Sequence, residues 1–551
     1  MEDSIRREIL AIFRLSGYQL KSDAQKCLIE YMSAFDMADD RKNFINNVIS
    51  VIQKLPMESC FLDEESVLKS IKHLEKTTPK KSELFIIIPA NAAPKFSYDM
   101  DKKKFHLLPC TASNSVLSTG AEKEALYRNR FLLIYQRLLN HELFTVDEPS
   151  VFNAKKYQIR TVESLCGFQG SLKSTVIVGM MSQLKHHTFH LEDLTGDIEM
   201  NLTDTNFQPG LYVENMIVMV EGFVSDSVLH ATTIGFPPIE SAEQSLNHLD
   251  NMDLFGGQKE IQELNLNELS QLERTFEAMF IFLSDIFLDS SKVLKALNCL
   301  FDGFAENDPS QVLFFVFAGE FLSEYYGIQQ ASVLHDGFKA LADIVANYPN
   351  LTKRAQFIFI PSSADAVFTD TIPRQPLLPS VVAPFKSKVQ NCTLATNPCR
   401  IRYLSHRIVV FREDIVSRIC RNSFYMPNEM ENIPEHFAKT ILAQSHLSPL
   451  PLHISPVYWN LDHSLYLYPL PDLVVCCDKY RPFTQTIQGC VVTNPGSFSR
   501  DSFVFQVYMP SSRTVEDSII SSRNSIQIVG SSGAFPCVAV KIDHSHHFIN
   551  K

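Results

Sequence analysis

Met279-Phe-Ile-Phe-Leu-Ser-Asp-Ile-Phe287-Leu-Asp289 decides how the larger part of this chain is read. Five bulky apolar residues in succession fit a strand covered on both faces. The strand then runs straight into aspartates. Further along, Val312–Phe317, Phe357–Ile360, Ile408–Phe411, Leu473–Cys476 and Phe503–Tyr508 read as strands of the same kind. Between them, Lys292–Phe301, Ala331–Asn347, Glu413–Cys420 and Pro434–Gln444 carry helical spacing. Strands alternating with helices predict a layered α/β domain over 276–518. Sites in such folds gather at the carboxyl ends of strands, so Asp285 and its counterparts are where chemistry is sought.

Towards the N-terminus the pattern changes. Residues 241–275 are polar, contain Phe255-Gly-Gly257, and read as a connector. Before them, Val176–Met180, Thr188–Glu192, Asp197–Leu202 and Met216–Val220 are short strands. Two are joined by Asp193-Leu-Thr-Gly196, where Gly196 is expected to supply a positive φ. Short strands in such density predict a small barrel of the OB type, and with a leading helix at 121–141 this domain spans 121–240. Phe189, Phe207, Tyr212 and Phe223 could stack bases, but only Lys173 and Lys185 interleave with them. The expectation is therefore a barrel that packs against protein. His186, His187 and His190 suggest a metal, yet adjacent strand residues point to opposite faces, so polar side chains facing solvent are expected here.

Residues 76–120 hold breaker-rich stretches and are expected to be a linker, partly pinned by Phe85-Ile-Ile-Ile88 and Lys95-Phe-Ser-Tyr98. Residues 1–75 read as four short amphipathic helices with faces at Ile9/Phe13, Ala24/Leu28, Val48/Ile52 and Val67/Leu68. Ser22 and Gln25 are placed for a capping box. A bundle this small suits docking better than catalysis.

The bulk composition narrows the function. The 551 residues carry a formal charge of −12 and no long basic run, so autonomous tight binding to nucleic acid is not expected. Twelve Cys include no C-x-x-C pair, which argues against a zinc site. No signal peptide and no membrane span are expected, which favours a reducing compartment. Forty Phe against one Trp imply a large core and an apolar docking face.

The strand ends resemble those of calcineurin-like binuclear phosphoesterases. That family's pattern runs Asp-x-His, Gly-Asp-x-x-Asp, Gly-Asn-His-Asp/Glu, a lone His, then Gly-His-x-His. Here the first motif is Asp285-Ile-Phe287 and the second Gly319-Glu320-Phe-Leu-Ser323. The third falls near Pro361–Asp365 without Asn-His, His446 survives as the lone His, and the last falls near Asp472–Tyr480 or Asn494–Phe498 without a His pair. Two ions need several Asp, Asn and His donors in fixed geometry. The resemblance therefore implies an inactivated scaffold with no catalytic residue, no metal and no cofactor. Asp285, Phe287, Gly319, Glu320, Ser323 and His446 remain as relics.

An N-terminal helical module, an OB-fold and such an inactivated domain together resemble the B subunits of replicative DNA polymerases, in the epsilon branch. The wording that carries this includes His141-Glu-Leu-Phe144, Leu191-Glu-Asp-Leu-Thr-Gly196, Phe236-Pro-Pro238, Thr396-Asn-Pro-Cys-Arg-Ile401, Val410-Phe-Arg-Glu-Asp414, Pro456-Val-Tyr-Trp459, Asn494-Pro-Gly-Ser-Phe498 and Thr514-Val-Glu-Asp-Ser518. The order and spacing of these stretches are the specific part. Residues 519–551 have no counterpart and stay unassigned, His544-Ser-His-His547 included. The resemblance implies a nuclear, non-catalytic accessory subunit. It implies partners: the zinc-bearing C-terminal domain of the catalytic subunit, the GINS part of the replicative helicase through an AAA+ lid-like module at 1–75, and two small histone-fold subunits. It also implies roles in replication initiation and contact with DNA only inside the assembly. Two other functions stay open: a single-strand-binding OB protein and a cryptic metal-dependent phosphodiesterase.

Overall fold

The computed structural model describes residues 85–109, 118–144, 158–167, 172–185, 188–249, 252–257, 273, 277–306, 311–365, 369–427, 432–520 and 526–528. Near the N-terminus it describes residues 9, 12–14, 16–32, 45, 48, 49, 52, 61–63, 67 and 68. The chain divides into two compact units, Met1–Phe85 and Ile86–Lys551.

In the first unit, Ser22–Met32 is a helix. Ile9, Phe13, Ala24, Leu28, Val48, Ile52 and Val67 are buried in one cluster. Gln19–Leu20 also pairs in parallel with Phe61–Leu62, a pairing the sequence does not announce. Two residues per strand leave no periodicity to detect. Gln25, expected to face Ser22, donates its side-chain amide to the Leu20 carbonyl at 2.9 Å.

The second unit begins with a strand where a linker was expected. Phe85–Pro89, which belongs to this unit from Ile86 onward, edges a six-stranded sheet. The hairpin Phe96–Asp99/Lys104–Leu107 follows. Phe96 packs edge-on to Tyr466 at 5.7 Å and Phe105 against Tyr468 at 5.3 Å. Aromatic burial of this kind outweighs the cost of ordering a short hairpin. The helix Gly120–Asn140 starts from a capping box made by Thr119 and Glu122.

Residues 159–235 form the barrel. Leu172–Lys185 lies between Ile217–Ser225 and Thr188–Glu192, and Asp197–Asn201 pairs with both Thr188–Glu192 and Val228–Gly235, which closes the sheet on itself. The sharp corner at Glu221/Gly222 needs glycine, because a Cβ there would lie 2.3 Å from the His230 carbonyl oxygen. The Asp193–Gly196 turn is made differently from expectation. Gly196 is not at positive φ. Instead the Asp193 carboxylate accepts from the Thr195 and Gly196 N–H groups at 2.7 and 3.1 Å and from the Val162 N–H at 2.8 Å.

The remaining strands do not form one sheet. A seven-stranded sheet runs Cys392–Leu394, Gln356–Ile360, Val312–Ala318, Ala278–Ser284, Val504–Met509, Thr514–Ile520, Ile526–Ile528, its first four strands parallel. The six-stranded sheet runs Phe483–Ile487, Cys490–Asn494, Leu473–Cys477, His406–Arg412, Cys399–Tyr403, Phe85–Pro89. Their inner faces meet where Phe280 and Phe314 pack on Tyr403 at 5.6 and 5.7 Å. Helices Ser291–Ala305, Gln330–Ala346 and Pro379–Lys388 cover the first sheet through Phe301, Phe338 and Phe385. Ile415–Asn422 and Ile433–Ala443 cover the second through Ile419, Phe437 and Ile441. The result is a four-layer α/β sandwich. Ile526–Ile528 extends the first sheet from the tail; residues 529–551 lie outside those described.

Candidate functional site

The two sheets bring four strand ends together. Asp285 follows Ala278–Ser284, Gly319 and Glu320 follow Val312–Ala318, Arg412 ends His406–Arg412, and Asp478 and Lys479 follow Leu473–Cys477. Asp285 is fully buried and held at a left-handed φ of 55°. Its Oδ1 accepts from Arg412 Nη2 at 2.7 Å, and its Oδ2 is buried without a hydrogen-bond partner among the described residues.

Arg412 is the centre of this arrangement. Its Nη1 donates to Asp414 Oδ1 at 2.9 Å and to the Cys477 carbonyl at 3.2 Å, its Nε donates to the Gly319 carbonyl, and Glu320 lies 3.9 Å away. One planar cation therefore joins both sheets. Burial would lower the Arg412 pKa, but Asp285, Asp414 and Glu320 overrule it and push it up. Asp414 shows the reverse: burial favours its neutral form, and Arg412 and Lys479 hold its carboxyl below the usual range. Lys479 also pairs with Glu320, and Arg500 stands 3.9 Å from Glu320.

The other carboxylates here serve the backbone. Glu320 N–H donates to Asp285 at 3.1 Å, Phe321 N–H to Asp365 at 2.9 Å, and Ser323 N–H to Asp289 at 3.1 Å. Asp365 also accepts from the Ser362 N–H and hydroxyl, both at 2.8 Å. Burial pushes the Asp365 carboxyl up to about 6, against those bonds. Gly319 is required beside it, since a Cβ would lie 1.9 Å from Asp365 Oδ2.

Of the residues read as relics, Asp285, Gly319 and Glu320 gather around Arg412. Ser323 does not; its hydroxyl donates to Asp289 at 2.6 Å. Phe287 is buried in the apolar core under Arg500, whose guanidinium is 5.5 Å from the ring centroid. His446 belongs to a different buried cluster. Its Nε2 faces Asp462 Oδ1 at 3.2 Å and its Nδ1 accepts from the Ser448 N–H at 3.0 Å. Arg130 grips the same Asp462 through Nε at 2.9 Å and through Nη2. Burial, reinforced by Arg130, pushes His446 down to about 4.

This arrangement fits a divalent metal poorly. The Asp285, Glu320 and Asp414 carboxylates are already neutralised, and an incoming ion would meet a fixed guanidinium. Among the described residues no three His, Cys, Asp or Glu side chains are grouped to hold a metal. Sequence reasoning missed Arg412, Asp414, Lys479 and Asp365. Phe411-Arg-Glu-Asp414 puts charges at the end of a buried strand, but nothing in that stretch says that they are buried or that they pair.

The barrel's aromatic face is likewise occupied. Phe207 stacks on Tyr425 at 4.4 Å, Phe189 meets Phe424 at 5.0 Å, and Tyr212 stacks on Phe236 at 4.4 Å. Ser423 Oγ donates to the Tyr212 carbonyl at 3.0 Å. Of the four aromatics named from the sequence, only Phe223 is substantially exposed, and it stacks on His230. His190 is buried beside Asp197 at 3.3 Å, while His186 and His187 lie outside the described residues.

Three family models match the chain. The model for the DNA polymerase alpha/epsilon B subunit covers 280–485, "DNA polymerase epsilon subunit 2-like, OB-fold domain" covers 120–238, and "DNA polymerases epsilon N terminal" covers 1–74. The chain is similar to DNA polymerase epsilon subunit 2 of Mus musculus, 37% identical over 526 residues, covering 94% of this chain and 98% of that one. It is similar to the same protein of Homo sapiens, 37% identical over 528 residues with the same coverage. DNA polymerase epsilon subunit 2 of Drosophila melanogaster is 32% identical over 526 residues, covering 94% of this chain and 98% of that one.

Proposed function

The chain belongs to the family of DNA polymerase epsilon B subunits, and we propose that it works there as a non-catalytic scaffold built on a disarmed phosphoesterase. The observation that supports this is Arg412: a side-chain cation stands among Asp285, Asp414 and Glu320, and the neighbouring carboxylates are committed to backbone N–H groups. In such a centre the carboxylates that could serve as base or ligand are held by a cation or by backbone N–H groups. Its stability serves shape, and shape is what a scaffold contributes.

In this reading the sandwich and barrel, 121–240 and 276–518, hold the zinc-bearing C-terminal domain of the catalytic subunit. Residues 1–75 are a separate docking module for the GINS part of the replicative helicase. Two small histone-fold subunits share the assembly, the site of action is the nucleus, and DNA is met only within the complex. Two features favour this division: the chain separates into compact units at Phe85, and the barrel's aromatic face is taken by Phe424 and Tyr425. No helix among the described residues is long and apolar enough to cross a membrane.

Deleting residues 1–75 tests the division of labour. Paired pull-downs should show wild-type capture of the catalytic subunit and weakened capture of GINS, because a tethered module raises effective concentration only for its own partner. Loss of the catalytic subunit with GINS binding intact would reverse the assignment.

A further inference from the structure

The carboxylates around the closed centre share one consequence: they immobilise the loop that follows Val312–Ala318. Its backbone N–H groups at Glu320, Phe321 and Ser323 are taken by Asp285, Asp365 and Asp289 in turn. Asp289 also accepts from the Ser323 hydroxyl at 2.6 Å and from the Tyr326 hydroxyl at 2.9 Å. Leu288 N–H donates to the Phe321 carbonyl at 2.8 Å. Tyr326 N–H donates to Gln330 Oε1 at 2.8 Å, and the Gln330 amide reaches the Ala364 carbonyl at 3.0 Å. A turn at Gly327, φ 56°, completes the loop.

What this rigid loop presents is apolar. Tyr325 is 81% exposed, Ile328 is 104% exposed, and Tyr326 is 36% exposed beside them. Single exposed apolar side chains are ordinary. A tyrosine and an isoleucine three residues apart, fixed outward on a loop pinned from beneath, form a ready anchor with little ordering cost on binding. The electrostatic surroundings specify the partner. Glu324 is exposed within the loop and Asp289 lies at its base, and neither has an ion pair with Lys or Arg among the described residues. Lys479 and Arg500 are directed to Glu320.

We infer that Ser323–Gln329 is a docking knob, with Tyr325 and Ile328 entering an apolar pocket rimmed by Lys or Arg on the catalytic subunit. This inference rests on the scaffold reading and adds the contact surface to it. Asp285, Asp365 and Asp289 thus act as the pedestal of a protein contact.

The test measures affinity of the catalytic subunit for the full chain in three forms: wild type, Tyr325→Ala/Ile328→Ala, and Glu324→Lys. The double variant should bind about tenfold more weakly or worse, with its thermal unfolding unchanged because the substituted side chains are exposed. Glu324→Lys should also weaken binding, and less so at high salt. Hydroxyl-radical footprinting of the assembled polymerase should show Tyr325 protected relative to the free chain. Wild-type affinity in the double variant, or Tyr325 equally oxidised in both states, overturns the knob and leaves the scaffold intact. Loss of the apolar anchors that instead abolishes self-association of the chain, with catalytic-subunit affinity unaltered, also overturns it. If wild type itself fails to bind the catalytic subunit, the scaffold reading falls and the knob with it.

Discussion

Arg412→Met is expected to destabilise the sandwich by about 3–5 kcal/mol, the usual cost of leaving a buried ionic group without its partner. Arg412 is only 2% exposed and joins Asp285, Asp414, the Gly319 carbonyl and the Cys477 carbonyl across two sheets. Methionine keeps the length and removes every donor. Asp285 would then be a buried carboxylate with no counter-charge, and Asp414 would keep only Lys479, at 3.4 Å. The melting temperature of the full chain should fall by roughly 10 °C. Asp285→Ala should cost a comparable amount, since it strands the guanidinium instead. The double variant should cost less than the two single changes added together, as expected for directly coupled groups. Simple additivity would mean that the pair is not the unit described here.

Arg130→Met is the second large effect, and its signature is in the pH dependence. Arg130 and His446 both contact Asp462, and all three are buried. Burial would raise the Asp462 carboxyl, but Arg130 and His446 hold it well below its usual range. His446 sits at about 4, below its ordinary 6.5, so it is neutral in the fold. In wild type the unfolded chain takes up the proton first. The stability linked to His446 is therefore present above pH 6.5 and lost as pH falls towards 4. Removing Arg130 leaves Asp462 with no cation and takes one away from His446. The imidazole then loses a repelling cation, and its folded pKa should rise from about 4, with burial still holding it down. Stability linked to His446 is then lost less steeply than in wild type as pH falls below 6.5. At pH 7 the variant should be destabilised by about 3–5 kcal/mol. Between about pH 7 and 5 its deficit against wild type should shrink. Asp365 and Asp478, both pushed up to about 6 by burial, titrate in the same range in both proteins and cancel in that difference. A deficit that is constant with pH would show that His446 and Arg130 do not share Asp462.

Much of the sandwich was legible because its strands are apolar on both faces. Phe280, Phe282, Phe314 and Phe315 are all completely buried, and runs like theirs have few other uses. What the runs did not say was which strand pairs with which. Phe357–Ile360 and Ile408–Phe411 look alike, yet the first lies in the seven-stranded sheet and the second in the six-stranded one. Periodicity reports coverage, and pairing depends on contacts far apart in sequence. That Phe287 cannot bind a metal is also plain from the sequence, since its ring offers no donor atom. The role of Arg412 was not legible there. An arginine at a strand end reads as solvent-facing, and only the meeting of four strand ends makes it a buried cation. The same limit hid Phe424 and Tyr425, whose partners Phe189 and Phe207 lie more than two hundred residues away. Phe85-Ile-Ile-Ile88 was half-read: its apolar character showed that the segment is pinned down, and its place at a sheet edge came only from the fold.

We propose that the Arg412 guanidinium stands where a binuclear phosphoesterase would hold its metal. Titration of the purified full chain with Mn2+, followed by electron paramagnetic resonance of the free ion, tests it most directly. The account predicts no saturable site of near-stoichiometric affinity in wild type. Two Mn2+ bound per chain, with hydrolysis of a generic phosphodiester appearing alongside, would contradict it.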